Sequence, residues 1–199
     1  MTGDYSPARL ADRAEIQDVM YRWCRAVDRL DVDGIRSVFH PDAIDNHGPF
    51  VGGVDALIAW LTDRHRGIPF SMHLVSNILI EFAGPDSALV ETYIFATLRY
   101  SAEGKAALAA FTGGVAGGQG SATDAFSWAR YIDRFERRGG EWRIARRTVA
   151  FDSSVMTDVP PDAPAFDPNW AVGRRDGDDP IYKERVAMGL GWSIQRQDR

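Results

Sequence analysis

Four histidines occur in the chain, and His73 stands at the start of an apolar, strand-like run beside Met72, Leu74 and Val75. An imidazole there faces the core or lines a cavity, where its near-neutral ordinary pKa suits it to proton transfer. The plain alternative is a histidine satisfied by a hydrogen bond at a strand end, as buried polar groups usually are. Asp28 is the second candidate. It lies at the end of the first helical pattern, next to core-facing Val27, and shares a helical stripe with Tyr21 and Cys24. A carboxylate on that border can reach an inward imidazole, hold its tautomer and stabilise its protonated form. Read alone, it is instead a surface aspartate paired with Arg25 or Arg29.

Arg147 is the third candidate, and its direction is ambiguous. In Trp142 to Phe151, strict alternation puts Arg143, Ala145, Arg147 and Val149 on one face and Trp142, Ile144, Arg146 and Thr148 on the other. Trp142 and Ile144 read as core, so the pleat favours Arg146 as the inward arginine unless a bulge reverses it. Cys24 has no nucleophile pattern around it and reads as a buried thiol. His40, Asp42, Asp45 and His47 are metal-ligand types, but Pro41 interrupts them and their spacing matches no compact motif, so no metal is expected. Gly113-Gly114 and Gly117-Gly118 follow no strand and open no phosphate-binding helix, which makes them loop residues.

These residues need elements to hold them. Apolar Ile16, Val19, Met20, Trp23 and Val27 fall at the three-and-four spacing of a helix over Ala11 to Arg29, with Asp12 as its expected N-cap. Asp33 is expected to cap a short helix through Phe39, stopped by Pro41, and Val54 to Arg66 forms a third. The period then changes to that of strands. Met72 to Phe82 and Ala88 to Tyr100 make one pair around Gly84-Pro85-Asp86, and Phe126 to Glu136 and Glu141 to Phe151 make another around Gly139-Gly140. Between the pairs, Ser101 to Asp124 reads as a long functional or mobile loop. Helices first and an antiparallel sheet after argue an α+β fold. Residues 1–152 read as one domain and 153–199 as a C-terminal extension, packing on that domain or on a partner, with a short helix near Pro180 to Leu190.

Composition excludes several classes. A net charge of −5 speaks against nucleic acid as a partner. No apolar run reaches the roughly 18 residues of a membrane span, and Met1 to Arg13 lacks the pattern of a secretory signal. One cysteine allows no internal disulfide. A cytoplasmic protein is expected.

The phrases RAEIQDVMYRWCRAVDRLD, IRSVFHPDA, GGVDALIAWL, MHLVSNILIEF and YIDRFERRGGEWRIARRTV, in that order, resemble the SnoaL-like branch of the nuclear-transport-factor-2-like superfamily. Within it the chain is most similar to the group of scytalone dehydratase, hexachlorocyclohexane dehydrochlorinase and the bile-acid dehydratases. The resemblance runs from Leu10 to Asp152. It implies a cone of curved antiparallel sheet closed by helices around an internal pocket, and a His–Asp dyad that needs no cofactor. The family's helix aspartate falls on Asp28 and its strand histidine on His73. A basic residue used in some members falls on Arg147, against the pleat argument for Arg146.

The implied function is a lyase acting on a hydrophobic, cyclic or aromatic small molecule, as in aromatic-compound catabolism. Dehydration is the default, with dehydrohalogenation, isomerisation and retro-aldol release of formaldehyde as variants. Tyr21, Trp23, Cys24, Tyr93, Phe95, Trp128 and Tyr131 are expected around the substrate. The family also implies a homodimer or homotrimer covering the outer sheet face, with Ile132, Arg134 and Trp142 there. The second reading is a non-catalytic binding or assembly subunit of the same fold.

Overall fold

The computed structural model describes residues 5–114 and 122–191, so part of the Ser101 to Asp124 segment, Gly117-Gly118 included, lies outside the described residues. Helix α1 spans Pro7–Arg29, α2 Val32–Ser37, α3 Val54–Arg64, α4 Lys105–Thr112 and α5 Pro180–Ala187. The strands are β1 Phe39–Asn46, β2 Val51–Gly53, β3 Phe70–Gly84, β4 Ser87–Tyr100, β5 Thr123–Arg138 and β6 Glu141–Asp158. They form one curved, unclosed sheet in the order β2-β1-β6-β5-β4-β3, antiparallel throughout except for the parallel pair β1–β6. This is the α+β cone that the sequence implies.

Helix α1 lies in the concave face. Ile16, Val19, Met20, Trp23 and Val27 are all buried, against Tyr131, Phe135, Trp142 and Ile144 of the sheet among others. Burying each such side chain fully contributes about 1.5–3 kcal/mol, which outweighs the weak helix propensity of its β-branched members. The helix begins earlier than expected because Ser6, followed by Pro7, is its N-cap. Asp12 is therefore not a cap. It is buried, and its carboxylate accepts from Trp142 Nε1 (3.0 Å), Arg137 Nη1 (2.9 Å) and Arg9 Nη1 (2.9 Å). Likewise Asp31, not Asp33, caps α2 by accepting from Gly34 N at 2.8 Å.

Strand β1 has no counterpart in the sequence reading. Its residues FHPDAIDN lack an apolar alternation, yet Ala43, Asp45 and His47 alternate inward along it and just beyond. Two bulges on β6 set the directions of its side chains. Between the pairs Arg134–Arg146 and Phe135–Ile144 an extra residue, Ala145, reverses the pleat, and Asp152 reverses it again between Ala129–Phe151 and Trp128–Ser153. Arg147 consequently points inward and is fully buried, while Arg146 is exposed.

The segment after β4 contains α4, whose approach is fixed by a backbone crossing. A Cβ on Gly67 would lie 2.4 Å from the Gly104 Cα, and Ser101 N donates to the Gly67 carbonyl at 2.9 Å. Beyond Asp158 the chain returns to the C-terminal end of α1. Buried Tyr182 donates to Asp31 Oδ2 (3.2 Å), and Asp179 pairs with Arg29 (3.0 Å). Among the described residues no helix is long and apolar enough to cross a membrane.

Candidate active site

The end of α1 and the inner face of β3 bring Asp28 and His73 together. Helix α1 stops sharply at Leu30, a left-handed residue (φ 54°), where the backbone N–H of Asp31 donates to the Ala26 carbonyl at 2.9 Å. On β3, Ser71 and His73 are two residues apart and so share one face; they pair with Leu98 and Ala96 of β4. The Asp28 carboxylate receives three hydrogen bonds from them. Oδ1 accepts from Ser71 Oγ (2.7 Å) and from His73 Nδ1 (2.7 Å), and Oδ2 accepts from the His73 backbone N–H (2.8 Å).

The electrostatics follow from that geometry. Burial would raise the Asp28 carboxyl, but His73 and the hydrogen bonds from its ring, its backbone and Ser71 outweigh burial and hold it below the usual carboxylate range. An ionised Asp28 accepts only, so Nδ1 of His73 must carry the proton of the neutral ring. The lone pair is then on Nε2, which has no protein partner among the described residues.

His73 lines a cavity of about 710 Å³ inside the cone. Its apolar wall includes Trp23, Val27, Leu61, Ile94, Leu98, Leu108, Phe111 and Val149, and its polar members include His47, Arg64, His65, Tyr100, Ser127 and Tyr131. Burial pushes the Tyr131 hydroxyl well above its ordinary pKa, so it stays protonated and able to donate. His47 meets Asp45 (Nδ1 to Oδ1, 3.1 Å), and burial holds that imidazole below its ordinary value. His40 instead meets the Glu136 carbonyl at 2.8 Å, so the four metal-ligand types of this segment do not converge. No group of three or more His, Cys, Asp or Glu among the described residues is placed to hold a metal.

Of the expected substrate contacts, Trp23 and Tyr131 line the cavity. The others do not. Tyr21, Tyr93 and Trp128 are exposed on the outside, at 53%, 45% and 44%. Phe95 packs with Trp128 and Phe126 on the outer sheet face (ring centroids 5.2 and 6.2 Å) because β4 turns Ile94, Ala96 and Leu98 inward. Cys24 is buried on the core side of α1, away from the cavity lining; burial first, then Asp28, pushes its thiol up to about 12. Arg147 stands behind the cavity wall. Its Nε and Nη2 grip Asp133 at 2.8 and 2.6 Å, and its guanidinium lies 4.0 Å from the Tyr131 ring centroid and 4.7 Å from that of Trp23. Burial opposes its charge, and Asp133 more than restores it.

Two residues, one in the cavity wall and one behind it, have no counterpart in the sequence reading. His65 lies four residues beyond Leu61 and eight beyond Leu57, on the apolar stripe of α3, and that spacing was a usable signal. For Arg175, in the polar C-terminal stretch, there was none. Its guanidinium donates to the carbonyls of Asp28 (2.9 Å), Val27 (3.0 Å) and Ile68 (2.5 Å) and to His65 Nδ1 (2.7 Å), directly behind the dyad.

Comparison with known proteins agrees with this architecture. The family model of the SnoaL-like domain matches residues 8–148. The uncharacterized protein Rv2910c of Mycobacterium tuberculosis is 26% identical over 146 residues, which is 71% of this chain and 86% of that protein. Among solved structures, the hexachlorocyclohexane dehydrochlorinase LinA-type3 of Novosphingobium barchaimii superposes with a TM-score of 0.62 at 17% identity, covering 80% of this chain and 97% of that one. A candidate scytalone dehydratase of Novosphingobium aromaticivorans gives 0.59 at 21% identity, over 78% and 92%. At these identities the two structures speak for the fold.

Proposed function

The chain belongs to the SnoaL-like domain family, and from that premise we propose that it is a cofactor-independent lyase acting on a hydrophobic cyclic or aromatic small molecule. The observation that carries the reading is the 2.7 Å hydrogen bond between Asp28 and a histidine that opens onto a large, mostly apolar cavity. His73 Nε2 takes a proton from a C–H or O–H of the bound molecule, and Asp28 stabilises the imidazolium that results. In an elimination the freed C–H electron pair forms the new double bond while hydroxide or halide departs with its own bonding pair. In the retro-aldol variant, the O–H pair becomes the C=O of formaldehyde as the C–C bond breaks, and the C–C pair passes into the conjugated system of the remaining fragment, which takes the proton back from His73. The protonated Tyr131 hydroxyl is the donor for the developing oxyanion or leaving group. Dehydrochlorinase activity in a protein of similar fold supports elimination as the reaction class.

The test is a screen of hydroxylated and halogenated cyclic and aromatic compounds, read by product mass. Loss of water, hydrogen halide or formaldehyde supports the lyase. Ligand-induced stabilisation without any product across the screen supports a binding subunit instead.

The proposal includes a homo-oligomer formed through the outer sheet face. Leu74, Leu79, Leu89, Tyr93, Trp128 and Ile132 leave an apolar patch there, each more than a third exposed. Trp142, expected on that face, is instead 1% exposed in the core, because it precedes the Ala145 bulge and packs beside Phe82. Light scattering is expected to give a dimer or trimer that Trp128→Glu dissociates; a monomeric wild type contradicts this.

A further inference from the structure

Arg64 takes no part in the dyad's hydrogen bonds, and its surroundings are unusual for a guanidinium set into a cavity wall. It ends α3 and lines the cavity. Among the described residues no carboxylate pairs with it; adjacent Asp63 turns to Arg66 at 3.7 Å. Its Nη2 donates to the Tyr100 hydroxyl, its Nη1 lies 3.3 Å from His65 Nε2, and its Nε is buried without a partner among the described residues. The rings of Phe111, Trp60 and Tyr100 surround it at 4.4, 5.5 and 5.7 Å. Cation–π attraction of this kind holds the group in place but is smaller than the penalty of withdrawing an unpaired ion from water. Burial accordingly pulls the Arg64 guanidinium below its ordinary value, with Tyr100 opposing.

Among the described residues no carboxylate forms an ion pair with Arg64. Burial and the two neighbouring cations keep the His65 ring neutral; Nδ1 accepts from Arg175, so Nε2 carries the hydrogen and gives Arg64 Nη1, 3.3 Å away, no acceptor. Arg175 rests on carbonyl oxygens and is itself drawn down to about 10, chiefly by burial. Asp152, the carboxylate in the cavity lining, is held by Arg130, and of those behind the wall Asp28 is held by His73 and Ser71, while Asp45 meets His47 through Oδ1 and forms no ion pair with Arg64.

We propose that Arg64 and Tyr100 form a carboxylate-binding subsite, so that the molecule taken into the cavity is an organic acid with an apolar ring. The inference deepens the lyase reading and rests on it for the cavity's role as substrate site. The planar fork of a guanidinium matches a carboxylate in a way that no neutral partner here does. Because the Tyr100 oxygen accepts from Arg64, its own hydrogen is left to donate to the same ligand oxygen. The ring would pack on Ile94, Leu98 and Leu108, leaving the rest of the molecule to the dyad.

Benzoate and benzamide differ in charge and hardly in shape, which makes them suitable probes. Titrated to tens of millimolar into the wild type and into His73→Ala, benzoate is expected to raise Tm by ~2–4 °C and benzamide by much less. Arg64→Leu, which removes the charge and leaves an apolar side chain on the side of Phe111 and Trp60, is expected to weaken apparent benzoate binding at least about tenfold and erase the preference. Equal shifts for the two probes, or no shift with either, overturn the subsite, as does a preference that survives Arg64→Leu. Should Arg64→Leu not fold, Arg64→Gln is read in the same way. A preference present in His73→Ala but without turnover in the wild type sinks the lyase alone, whereas turnover without the preference sinks the subsite alone.

Discussion

Replacing Asp28 with asparagine is expected to lower turnover about 10²–10⁴-fold while leaving the chain folded. The amide has nearly the same shape, so the packing of α1 against β3 survives. Its chemistry differs at one point. An amide presents an oxygen on one side and an N–H donor on the other, whereas Asp28 accepts hydrogen bonds on both, from Ser71, the His73 ring and the His73 backbone. One of those donors must then face another donor. If the ring yields, the proton moves to Nε2 and the base facing the cavity is lost. Even where the tautomer holds, the imidazolium no longer has a carboxylate beside it.

The same substitution has a signature in stability. The Asp28 carboxyl titrates below its ordinary range in the folded chain. A depressed carboxylate contributes stability that is fully present above its unfolded pKa, about 3.9, and is lost as pH falls through the folded value. The wild type should therefore exceed Asp28→Asn in urea denaturation at pH 7, and the gap should close in acid. A gap that is constant from pH 7 to pH 3 would mean that the carboxylate's charge contributes nothing.

The largest effect on stability is expected at Asp133. It and Arg147 are both fully buried and joined by two hydrogen bonds. Removing one partner from such a pair leaves an uncompensated charge and costs about 3–5 kcal/mol, against a total of about 5–15 kcal/mol for a typical domain. Asp133→Asn should thus lose much of its resistance to urea. Replacing both residues by apolar ones, Asp133→Leu with Arg147→Met, removes the charge along with its partner and should recover most of the loss, a coupling that a double-mutant cycle measures. A single variant within about 1 kcal/mol of the wild type would contradict this account. Turnover adds a further outcome: a folded double variant without activity would give Arg147 the part in catalysis that the family resemblance implies, despite its place behind Trp23 and Tyr131.

The closeness of Asp28 and His73 is more legible in the sequence than the cavity walls are. Asp28 sits beside the apolar stripe of α1 and His73 opens an apolar strand, and both signals survive because neither depends on a bulge. Arg147 does depend on one: alternation from Trp142 and Ile144 points to Arg146 until Ala145 is inserted. The directions of the sheet aromatics follow from strand parity. On β4 the inward set is Ile94, Ala96 and Leu98, so Tyr93 and Phe95 share the outer face, and on β5 Tyr131 faces inward where Trp128 does not. The two-residue period, not aromatic character, decides which of these side chains face inward. Strand β1 was hidden because its inward positions hold Asp45 and His47 rather than aliphatic residues.

The most direct test is turnover of His73→Ala beside the wild type, on any compound from which the wild type forms product, with folding checked by circular dichroism. The account predicts a folded variant whose product formation falls at least about a hundredfold. Undiminished turnover in the folded variant would contradict it, since no proton would then pass through Nε2 of His73.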